Sequence, residues 1–113
     1  MQLERAKQLL NGTPDTSDPR ALMIEVLAAS IELVLLEDNN FLWSSWQDAA
    51  TAEQELAWHM ESLESPQSVN IDRVSVLFAP TGPMQELSLS SGWGEPFIKL
   101  ASYFDVAAAG LRE

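Results

Sequence analysis

Leu3, Ala6, Leu9 and Leu10 stand three and four positions apart, the spacing of one helix face, so residues 2–10 are expected to form a helix. Asn11 and Gly12 supply its C-terminal stop, and 13–17 reads as a polar turn. Asp18 followed by Pro19 is a strong helix start, an acid able to cap free amides and then a residue suited to the first turn. Beyond it Met23, Ile24, Leu27, Ala28, Ile31, Val34 and Leu35 form one wide apolar stripe at ~100° per residue, and Leu22, Val26, Ala29 and Leu33 form a second. Glu25 and Glu32 share the remaining polar seam. A helix apolar nearly all round is buried, so 19–37 is the expected central helix. A helix ending near Ser30, with 31–36 as a buried strand, is the competing reading.

Residues 37–40 are polar and connect to an aromatic stretch that contains Trp43 and Trp46. Ser45 and Asp48 fit the capping-box pattern in its carboxylate form, which predicts a helix over 46–64 ended by Pro66. Its core face holds Ala49, Ala52, Leu56, Met60 and Leu63. Trp58 falls on nearly the opposite face, where it either lies beneath the hairpin or the N-terminal segment, the favoured reading, or is exposed as the centre of an association surface. Residues 73–79 read as a strand, and Leu87, Ser88, Leu89 and Ser90 alternate with period two. Pro80, Thr81, Gly82 and Pro83 between them have turn chemistry, so 73–90 is expected to be a β-hairpin packed on the helices. Glu95 and Pro96 start a last helix lined by Phe97, Leu100, Ala101, Phe104, Ala108 and Leu111. The expectation is therefore a mostly α (α+β) fold in a single domain over 1–113, about four helices around the buried central one with one hairpin.

Length and composition support that expectation. The 113 residues are 46% apolar, inside the ordinary globular range, and enough for one core without a metal or disulfide. There is no cysteine, which removes disulfides, thiolate catalysis and cysteine-based metal sites. The first residues hold no apolar signal-peptide core, and the most apolar stretch, 21–36, is shorter than the ~20 residues of a membrane span and is interrupted by Glu25 and Glu32. A cytoplasmic location follows as the expectation. Seventeen acids against six scattered bases leave a net charge of −11. That sign argues against phosphate-binding surfaces, whether nucleic acid or anionic membrane. It would attract a basic protein partner, although solubility alone is the plainer reading of such a charge.

Candidate chemistry is sparse. His59 is the lone histidine, with Glu55 one turn before it, and two ligands do not make a zinc site. Asp38, Asn39, Asn40 and Asp48 offer oxygens without the spacing of a calcium loop. Glu25 and Glu32 are two turns apart, roughly 10 Å, and read as a solvated or salt-bridged seam. Gly92 and Gly94 sit where a helix N-terminus could hold an anion, but Glu95 and Pro96 oppose it. No catalytic, cofactor or metal residue is therefore assigned, and no cofactor is expected. The aromatics remain. Trp43, Trp46 and Trp93 lie at loop–helix junctions beside serine pairs; tryptophan is the residue type most enriched at binding hot spots, and in a small domain it is more commonly a core anchor. The expected function is a non-enzymatic, protein-binding or regulatory module of immunity or inhibitor type, its partner another protein or a second copy. Its surface would combine Trp43, Ser44, Ser45, Trp46, Thr81, Gln85, Glu86 and Trp93. The alternative is a small-ligand domain or minor enzyme with a pocket between hairpin and helices, lined by His59 and Glu55 with Gln85, Glu86 and Ser45.

Overall fold

The computed structural model describes residues 3–42, 44–65, 71–79 and 82–112. Their regular elements are six helices: α1 (Glu4–Asn11), α2 (Pro19–Val34), α3 (Ala49–Glu64), α4 (Ile71–Phe78), α5 (Pro83–Ser91) and α6 (Gly94–Leu111). No strand occurs among them. The expected hairpin over 73–90 is corrected to two helices meeting at a corner, and the α+β class to all-α. Burial explains the difference. Ile71, Val74, Leu77 and Phe78 are buried at helical spacing, whereas Val76, which shares the strand face with Val74 and Phe78, is exposed. In the second arm Met84, Leu87 and Ser88 are buried and Leu89 faces out. Pro83 is the first residue of α5, where its missing amide costs nothing, and Gly92 closes α5 at φ 86°.

α2 is the centre, as its two apolar stripes require. Met23, Val26, Leu27, Ala29 and Val34 are fully buried, and α1, α3 and α6 pack around it. Asp18 caps it by accepting from the Ala21 amide at 3.1 Å. The helix stops at Val34 rather than 37, and residues 31–34 are helical, not strand. The helix expected from Trp46 starts three residues later, because Asp48 is itself the cap and accepts from the Thr51 amide and hydroxyl at 2.9 and 2.8 Å. α4 and α5 pack on each other and on α6.

Several helix ends are satisfied by side chains from other helices, which fixes how the elements dock. The Glu32 carboxylate accepts from the Arg5 and Ala6 amides at 3.2 and 2.8 Å, capping α1 from α2. Arg5 in turn pairs with Glu25 at 2.6 Å, and the hydrogen bond to Glu25 raises its pKa further above the ordinary arginine value. The glutamate seam of α2 is thus the seat of α1. Arg20 donates to the Leu63 carbonyl at 2.5 Å at the C-terminal end of α3, and Lys99 donates to the Leu10 carbonyl at the end of α1.

Candidate functional site

The residues expected to form a partner surface mostly hold the molecule together. Trp46 and Trp93 are buried, 4% and 6% exposed. Each indole N–H meets an acceptor that burial makes necessary: Glu55 Oε2 at 2.6 Å for Trp46 and Asn39 Oδ1 at 2.8 Å for Trp93. Asn39 also donates through Nδ2 to the Leu33 carbonyl at 2.8 Å, so it ties the end of α2 to the start of α6. Ser45 donates to Glu86 Oε1 from both its amide and its hydroxyl, at 2.9 and 2.8 Å. The Ser90 hydroxyl donates to the Asn40 carbonyl at 2.7 Å, and the Ser91 hydroxyl accepts from the Asn40 amide at 2.8 Å. Ser44, Ser45, Trp46, Glu86 and Trp93 therefore belong to a clasp that fastens the α2–α3 connection onto α5 and α6. Trp43 and Thr81 lie outside the described residues. Gln85 alone among the rest lines an open groove.

The expected pocket set does not converge either. Glu55, Trp58 and His59 on α3 face Arg73 and Val76 on α4 across a hollow of about 450 Å³. Ser45 and Glu86 bond to each other outside that hollow, and Gln85 lines a different groove. His59 is buried beneath Trp58, whose ring meets it edge-on with centroids 5.0 Å apart. Burial lowers the imidazole's pKa, Glu55 pulls it up and Arg73 lowers it further. Trp58 itself is 54% exposed, so the favoured burial is corrected to the exposed alternative: α4 leaves a gap there.

A second concavity lies where α4 and α5 meet α6. It measures about 860 Å³, and its floor is aromatic: Phe78, Phe97 and Phe104. Phe78 and Phe104 stack at 4.6 Å with planes 11° apart, which locks α4 to α6. Leu89 of α5 and Ile98 of α6 also line the groove and are 66% and 69% exposed. Glu95, Asp105 and Arg112 add charge to its lining. Arg112 donates to the Ser75 hydroxyl at 2.8 Å and pairs with Asp72 at 3.4 Å. The sequence hid this site because Phe78 and Leu89 were placed on hairpin strands. Exposed Ile98, off the core face of α6, was its readable signal.

Among the described residues no three His, Asp or Glu side chains are arranged to hold a metal ion, and no helix is long and apolar enough to cross a membrane. The comparisons with known proteins add no likeness: no protein-family model, no curated protein and no solved structure matches the chain.

Proposed function

We propose that the chain is a non-enzymatic protein-binding module of regulatory or inhibitor type, and that its contact surface is the groove over α6. The observation that carries this reading is the exposure of Leu89 and Ile98 on facing helices above a floor of buried phenylalanines. Two large aliphatic side chains held in water beside an apolar concavity gain free energy when a partner covers them, at roughly 25 cal/mol per Å² of apolar surface removed.

A small-molecule pocket is the competing reading, since about 860 Å³ lies within the usual size of ligand sites, ~300–1,000 Å³. Such sites also need placed polar groups. Here the serines of the lining spend their protons on their own helices: Ser75 on the Ile71 carbonyl, Ser88 on Gln85 and Ser102 on Lys99. Protein contact needs only shape and apolar area, and is favoured.

Photo-crosslinking tests the proposal. A photoreactive residue replacing Ile98 or Leu89 is expected to capture a discrete protein in extract of the source cell. The same residue replacing Leu42, exposed on another face, is expected to capture none. Equal capture from all three positions, or capture only from a probe at Trp58, contradicts the groove.

A further inference from the structure

We infer that the occupant of the groove is an amphipathic α-helix whose apolar stripe is flanked by lysine or arginine, an inference that rests on the groove being the protein-contact surface. Shape selects the helix. The regular elements described are all helical, so no sheet edge offers its backbone to an extended peptide, and recognition has to proceed through side chains. The groove follows one face of α6, from Gly94 through Phe97, Ile98 and Ala101 to Asp105 and on to Arg112. That face repeats every three to four residues, the period that the ridge of a second helix fits. Its length along α6 is roughly 27 Å, so it accommodates a helix of about 18 residues at 1.5 Å rise.

Charge selects the flanks. Glu95 and Asp105 both line the groove and are exposed. Arg112, the one base of the lining, is already paired with Asp72. The wider field has the same sign. With 17 acids and 6 bases, at least 11 carboxylates lack a Lys or Arg partner even if every base were paired one to one. Two of the bases, Arg20 and Lys99, donate to backbone carbonyls instead. A helix bearing cations beside its apolar stripe meets Glu95 and Asp105 at the lip and is steered by the surrounding charge. A second copy of this chain would bring a further −11 and be repelled.

The test is a titration of the intact chain, methyl-labelled, with two synthetic 18-residue peptides. Both carry leucine at i, i+3, i+4 and i+7 repeats; one has lysine on the flanks and its twin has glutamate. The lysine peptide is expected to shift the Leu89 and Ile98 methyl signals and to bind at least tenfold more tightly than its twin at low salt. The ratio should shrink at high salt, where exposed charges are screened within a few ångströms. In the Glu95→Gln/Asp105→Asn variant, confirmed as folded by its helical circular dichroism, the ratio should fall at least threefold. Equal affinities would overturn the basic helix and leave the groove standing. Binding by neither peptide, or shifts confined to other faces, would overturn both. A wild-type dimer that Ile98→Glu renders monomeric would assign the groove to a second copy and overturn the inference.

Discussion

Tryptophan carries one N–H that must find an acceptor when the ring leaves water, and the three described tryptophans divide on that point. Trp46 and Trp93 are buried and bonded to Glu55 and Asn39; Trp58 is half in water. Trp93→Ala should therefore cost roughly 3–5 kcal/mol in a urea titration, as buried aromatic truncations do. Trp58→Ala should cost under ~0.5 kcal/mol. Comparable losses from both would mean that Trp58 is covered after all. Position at a loop–helix junction, all that sequence offered, is shared by an anchor and a hot spot. The distinguishing fact, an acceptor nine or fifty-four residues away, is not local. His59 makes a second residue-scale prediction. Its folded pKa lies below the ordinary value of ~6.5, so below that pH the unfolded chain takes up the proton more readily. Its contribution to stability is complete above about pH 6.5 and is lost as the pH falls toward the lower folded value. Unfolding free energies measured from about pH 7 to 5 should fall more steeply for the wild type than for His59→Gln. Identical slopes would contradict the buried, neutral imidazole.

At the scale of elements, local signals located helices well where capping chemistry and a long apolar period coincide. Asp18 and Pro19 start α2, Asp48 starts α3, and neither depends on distant contacts. The pair α4 and α5 was not legible for a physical reason. Val74, Val76 and Phe78 satisfy a period of two, Ile71, Val74, Leu77 and Phe78 satisfy 3.6, and eight residues are too few to separate them. β-branched content then favoured strand, and the phenylalanine stack on α6 overrides that preference. Pro83 after Gly82 fits a hairpin turn and a helix start equally. One element-scale contact is sharply testable. A Cβ on Gly110 would come within 2.3 Å of the Pro19 ring, where the end of α6 crosses the start of α2. Alanine normally stabilises a helix by up to ~1 kcal/mol over glycine, but overpacking costs about 1–3. Both residues are ring or backbone-bound and yield little, so the clash should win. Gly110→Ala is expected to lower the urea midpoint; a raised midpoint would show that α6 does not approach α2 so closely.

For the whole molecule, one buried helix organises the rest, and the polar links between helix ends decide where each neighbour sits. That arrangement leaves α4 and α5 as a two-helix wall beside α6, and the wall creates the groove on which the binding proposal depends. Composition shows a small, strongly acidic chain. It carried no information on where the contact lies, because the groove arises from three elements, two of which read as strands. The central claim is therefore that 71–78 and 83–91 are two helices packed on α6. Backbone and side-chain NMR of the intact chain tests it most directly. The account predicts helical Cα and Cβ shifts over 71–78 and 83–91, a break at Gly82, and contacts between the rings of Phe78 and Phe104. Extended shifts over 73–79 and 87–90 with cross-strand contacts between them would contradict it, and would remove the groove with the helices that form it.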